Sequence, residues 1–233
     1  MATLKHISLR LQKLVCRQNV LVIGDSHTGV FRGAAIRAYF PLTAFKVVSV
    51  VGATASGLQN PNSKTQALPT FIDCIEKTPE ARKVIILLGE VDAGFVIWYR
   101  AQKYGISVEE MLEKALVSYQ EFLLKFSDQR QLICLSAPLP TIKDGQEWGK
   151  VANLRKAVKA TQEERTQLTL KFNQGMKAFC QEHKIEYLDF DQASLGADGI
   201  VEHRLLNKHP TDHHYDYDAY RKMILPALKK CLR

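Results

Sequence analysis

The chain has 233 residues, 46% of them hydrophobic and 24% charged, with 13 Gly and 8 Pro. That supplies one sizeable core and excludes a disordered, collagen-like or minimal disulfide-stapled chain. Lys and Arg outnumber Asp and Glu by 32 to 24, a formal charge of +8; this admits acidic partners, but neither a helix-turn-helix nor an interleaved aromatic and basic pattern appears, so nucleic acid is not an expected partner.

The excess charge sits at the two ends. Lys5, Arg10, Lys13 and Arg17 precede the first apolar run without an acid among them, and Arg221, Lys222, Lys229, Lys230 and Arg233 crowd the last helical pattern. No stretch approaches the roughly 18–20 uninterrupted apolar residues of a membrane span, and the first twenty residues lack the apolar run and small-residue cleavage site of a signal peptide. The expectation is a cytoplasmic protein. Cys16, Cys74, Cys134, Cys180 and Cys231 have no metal-binding or redox spacing and read as reduced, buried fillers.

In chain order, strand-length apolar runs occur at 19–24, 45–52, 83–89, 131–136 and 185–190. Their hydrophobicity is continuous rather than alternating, which belongs to parallel strands covered on both faces. Between them lie helical patterns. Ser107 and Glu110 make a capping-box signature, followed by Met111, Leu112, Ala115, Leu116, Tyr119, Phe122, Leu123 and Phe126 at core spacing. Residues 138–160, with Pro138, Pro140, Gly145, Trp148, Gly149 and basic side chains, read as a lid or surface insertion. A second helix runs from about Thr161 to Glu182, with Leu168, Phe172, Met176 and Phe179 inward. The last begins after Asp218 and carries Pro226, where a kink is expected. This alternation predicts a single domain over 1–233, a three-layer α/β/α sandwich around a mainly parallel five-stranded sheet.

In such sheets ligands bind beyond the carboxyl ends of the strands. The first strand ends in Gly24-Asp25-Ser26-His27. Gly24 permits a sharp turn, and Ser26 then lies at the entrance to a helix, where exposed backbone N–H groups suit a nucleophilic serine and a developing oxyanion. The same residues are also ordinary helix caps. The hydrolase elbow G-x-S-x-G is missed because Gly29 is one place late, and a P-loop is excluded because Val30 and Phe31 stand where Lys and Ser/Thr belong. The second strand is followed by Gly52-Ala-Thr-Ala-Ser-Gly57, the third by Gly89-Glu90-Val91-Asp92, and the last loop carries His209-Pro-Thr-Asp212-His213-His214.

Taken together, these four segments resemble, in order, the blocks of the SGNH subgroup of GDSL hydrolases. The resemblance implies a flavodoxin-like α/β fold, Ser26 as nucleophile, an oxyanion hole from the N–H groups of Ser26 and Gly57 with Gly52 as the alternative, and no cofactor. Two departures stand out. Val91 replaces the family's amide-bearing Asn, removing one oxyanion donor, with Asn60 or Asn62 as substitutes. The family's D-x-x-H is absent, so Asp212 becomes the acid; in an extended segment it falls on the same side as His214, which is favoured over His213 as the base. Asp25, His27, Gly89, Glu90 and Asp92 are further candidates for the site.

His6, His183 and His203 read as incidental. Trp98, Tyr99, Arg100 and Trp148 offer a sugar-stacking wall or, more ordinarily, core aromatics. The expected function is therefore an O-acyl esterase acting on a small-molecule or glycan ester. Its alternatives are an acyltransferase on the same fold, a catalytically silent binding module, and a metallohydrolase built on His209, Asp212, His213 and His214 with Asp25 and His27. Oligomeric state is not legible.

Overall fold

Short apolar runs pair side by side into one sheet. The structure is a computed structural model and describes residues 18–145 and 158–232. Strands β1 (Gln18–Gly24), β2 (Thr43–Ser49), β3 (Lys83–Leu87), β4 (Gln131–Leu135) and β5 (Glu186–Leu188) lie in the order β2-β1-β3-β4-β5, every pair parallel. The sheet is thus wholly parallel, and its order reverses beside β1, between β1 and β3. Strand β2 stops at Ser49, short of the predicted 52, because Val51 and Gly52 turn the chain, Gly52 with φ +72°.

Alternate side chains of each strand feed two separate cores. Leu21, Ile23, Val84, Ile86, Leu132 and Cys134 pack against α2 (Ala67–Glu76), α3 (Ile97–Tyr104), α4 (Val108–Ser127) and α5 (Gln162–Glu182). Val20, Val22, Ile85, Leu87, Ile133 and Leu135 face α1 (Ala34–Tyr39) and α7 (Tyr217–Cys231); a short α6 (Asp191–Ser194) follows β5. This is the expected three-layer sandwich.

The helix starts differ in how fully they are capped. At α4 the Ser107 hydroxyl accepts from the Glu110 N–H at 3.0 Å, but the Glu110 carboxylate is drawn to Lys114 at 2.7 Å, so only half of the predicted box forms. At α5 both halves are made between Thr161 and Glu164. Helix α7 opens at Tyr217, earlier than expected, because Asp216 accepts from the N–H groups of both Asp218 and Ala219; the helix then continues past Pro226 to Cys231.

The segment after β4 departs from a surface loop where it is described. Leu139 and Ile142 are buried, and Gln162 donates to the Pro140 carbonyl at 2.9 Å. Residues 146–157, with Trp148, lie outside the described residues, as do the N-terminal basic residues, His6, Cys16 and Arg233. Cys74, Cys134, Cys180 and Cys231 are free thiols. Among the described residues, no helix is long and apolar enough to cross a membrane.

Candidate active site

Strand β1 runs into a 3-10 turn, Ser26–Phe31, through Gly24. The chain passes so close to β3 there that a Cβ at Gly24 would overlap the Leu87 carbonyl oxygen. Asp25 caps the turn and is completely buried. Its Oδ1 accepts from the His27 backbone N–H at 2.8 Å and from His27 Nδ1 at 3.0 Å, while Oδ2 is buried without a partner among the described residues. The Thr28 N–H goes to the Asp25 carbonyl, so the first free position of the turn is Ser26. Ser26 is half-buried, between two buried neighbours.

The loop before α7 builds the same device a second time. Asp212 Oδ1 accepts from the His214 N–H at 3.0 Å and from His214 Nδ1 at 2.6 Å. Burial pushes the Asp212 carboxyl up, but the two hydrogen bonds from His214 and the adjacent imidazoles outweigh it and hold the group below the usual carboxylate range. With Nδ1 committed, His214 turns Nε2 inward, where it is buried and has no hydrogen-bond partner among the described residues. Asp212 thus contacts His214, the ring that an extended segment places on its own side.

These two devices meet. The His214 ring centroid lies 4.8 Å from that of His27 and 4.2 Å from that of His213, and His27 and His213 are 5.9 Å apart. Thr141 donates to the His213 carbonyl at 2.6 Å, and the buried Tyr215 hydroxyl accepts from the Leu139 N–H at 2.7 Å, pinning the loop. Arg221 of α7 reaches across to the carbonyls of Val30 and Arg32 at 3.0 and 2.8 Å, fastening the C-terminal helix to the Ser26 turn. No hydrogen bond joins Ser26 to His214.

The other candidates fall around this centre. After β3 the chain enters a helix containing a π segment, Asp92–Val96. Asp92 is buried and accepts from the N–H groups of Ala55 and Ser56 at 2.6 and 3.1 Å. Burial raises it to about 6 against the hydrogen bonds from Ser56 and Ala55 and the charge of Arg100. Its task is to hold the 3-10 turn Ala55–Gly57. Within that turn the Gly57 N–H donates to the Thr54 carbonyl at 3.1 Å. Gly89 packs so tightly that a Cβ would overlap the Phe172 ring. Glu90 is buried, and Val91, half-buried, offers no donor. Asn60 and Asn62 are exposed, and the Asn60 side-chain oxygen accepts from the Asn62 N–H, so neither substitutes visibly for the missing amide.

The residues of the alternative metallohydrolase reading do not all come together. His209 is exposed with Nδ1 paired to Thr211 at 2.9 Å, and the three imidazoles that converge are His27, His213 and His214. Of the aromatic wall, Trp98 packs against the core and donates to the Ala93 carbonyl at 2.8 Å, whereas Tyr99 is partly exposed and stacks on Phe95. Arg100 donates to the Ser56 hydroxyl at 3.0 Å and so braces the second-block turn. His183 rests on Phe179, and His203 is exposed. Sequence reasoning missed the Asp25–His27 pair; the signal was present as two Asp-x-His units, Asp25-Ser-His27 and Asp212-His-His214.

No protein-family model and no curated protein sequence matches the chain. Solved structures do match in shape. A GDSL-like lipase from Bacteroides thetaiotaomicron superposes with a TM-score of 0.58 at 17% identity, over 92% of this chain and 89% of its own. An extracellular lipase from Streptomyces rimosus gives 0.56 at 15% identity over 91% and 99%. An acetylxylan esterase from Geobacillus stearothermophilus gives 0.56 at 13% identity over 92% and 94%. The fold is that of the SGNH/GDSL hydrolases, across nearly the whole chain.

Proposed function

We propose that the chain is a serine-dependent ester hydrolase, in which Ser26 attacks an acyl carbonyl, His214 takes its proton, and Asp212 orients and charges against the imidazolium. The observation that carries this is the short Asp212–His214 bond, which leaves His214 Nε2 buried and unpartnered beside the turn that bears Ser26. A base needs that arrangement: one ring nitrogen fixed, the other open to a proton. The hydroxyl closes onto Nε2 when substrate occupies the rim, since catalytic hydrogen bonds often tighten only in the complex.

The oxyanion falls to the N–H of Ser26 and that of Gly57, the latter shared with the Thr54 carbonyl in a three-centre bond. Gly52 is the alternative donor. With Val91 in place of an amide, turnover lies about 100- to 1,000-fold below that of a three-donor site. The resemblance in shape to an acetylxylan esterase makes O-acetylated carbohydrate the first substrate class to test.

The test is an ester panel, from p-nitrophenyl acetate to acetylated sugars, run with Ser26→Ala and His214→Ala. Each substitution is expected to lower kcat at least about 1,000-fold while leaving the circular dichroism spectrum unchanged. Labelling of Ser26 by a fluorophosphonate should disappear in Ser26→Ala. Turnover that survives both substitutions would reject the serine mechanism.

A further inference from the structure

The serine centre uses one imidazole, yet three converge. One ligand nitrogen from each of His27, His213 and His214 lies within 4.8 Å of the other two. Two of these rings are backed by carboxylates on Nδ1, Asp25 at 3.0 Å and Asp212 at 2.6 Å, and His214 turns its buried Nε2 inward. A carboxylate behind a histidine is the outer shell that metal-binding imidazoles carry, because it fixes the ring and raises its basicity. Asp25 also keeps an oxygen buried without a partner, negative character that a nearby cation would offset.

We propose that His27, His213 and His214 form a site for one divalent cation of the zinc class, and that the cation, by taking the Nε2 lone pair of His214, switches the esterase off. Three nitrogen donors select zinc-like ions over calcium or magnesium, which take oxygen. Tetrahedral zinc at its usual bond length separates its nitrogens by about 3.4 Å, so binding requires the nitrogens to draw in by at most about 1.4 Å from 4.8 Å, through rotation of side chains on a loop whose backbone stays pinned. Bound metal and proton acceptance at His214 are mutually exclusive, since both need the same lone pair. This second half rests on the serine reading above; the binding half does not.

The test is equilibrium dialysis of the metal-free full chain against zinc chloride with elemental analysis, repeated on His27→Asn, His213→Asn and His209→Asn. One zinc per chain is expected. His27→Asn and His213→Asn should each weaken it at least about tenfold, and His209→Asn should leave it unchanged. Cobalt(II) should give the visible absorption of a tetrahedral nitrogen site, lost in His213→Asn. Should His27→Asn fail to fold, the partly exposed His213→Asn carries the comparison. No stoichiometric zinc, or equal affinity in His213→Asn, overturns the site. In the activity arm, zinc should stop ester turnover and a chelator should restore it. Zinc bound with turnover unaffected, or turnover that requires zinc, overturns the inhibitory half. Zinc bound by a chain with no metal-free turnover upholds the site and rejects the serine reading instead.

Discussion

Two residues apart in an extended turn, a carboxylate can take both the backbone N–H and the ring N–H of a histidine, and this chain does so twice. At Asp212–His214 the doubly bonded carboxylate stays below the usual range, so it remains charged wherever the imidazole has to accept a proton. Asp212→Asn would keep the shape but present an amide, which allows the wrong ring tautomer. Its kcat on an activated ester should fall by about 100- to 10,000-fold with the melting temperature little changed. Steady-state kinetics beside a thermal melt check this; a kcat within a factor of about three of the parent would show that Asp212 does not orient the base. The Asp25–His27 pair is built alike but fully buried, which suits a fixed wall or ligand better than a proton shuttle.

At the level of elements, the turn Ala55–Gly57 depends on a neighbour from another strand end. Asp92, at the head of the π segment after β3, holds its N–H groups, and Arg100, about two turns further along, holds its serine. The third block thus positions the second. Burial raises Asp92 to about 6 from 3.8. Its contribution to stability is therefore complete below the unfolded value. It is lost as pH climbs towards 6, because the unfolded chain releases the proton first. The loss is of order 3 kcal/mol. Urea unfolding at pH 4 and pH 6.5 should show a larger drop for the parent than for Asp92→Asn, whose amide does not titrate. Equal drops would place the pH dependence elsewhere. The capping signature at Ser107 was legible in the sequence, but its second half was not formed, since Lys114 on the same helix competes for Glu110.

For the molecule as a whole, the decisive contact joins the chain's two ends. The first strand and the last helix are distant in sequence, and Arg221 bridges them by donating to two carbonyls of the Ser26 turn region. In the sequence it is one of several basic residues crowding the last helical pattern. In the fold it is a clamp. Arg221→Ala should cost about 1–3 kcal/mol, the value of charge-assisted hydrogen bonds, one of them part-buried and one exposed. It should also lower turnover by loosening His214 from the serine turn. Denaturant unfolding and kcat measured together check this, and unchanged values of both would remove the clamp from the account.

By itself the sequence determined the layers, the five strands and the strand-end positions of the candidate residues. Continuous apolar runs, helical periodicity and the period of extended chain are local properties that a linear text displays. Only tertiary structure decided that Asp92 serves the second-block turn, that Leu139 and Ile142 are buried, and that three imidazoles converge beside β1. Each of those depends on residues brought together across the parallel sheet, where adjacency is set by strand order and helix docking and leaves no spacing in the sequence to read.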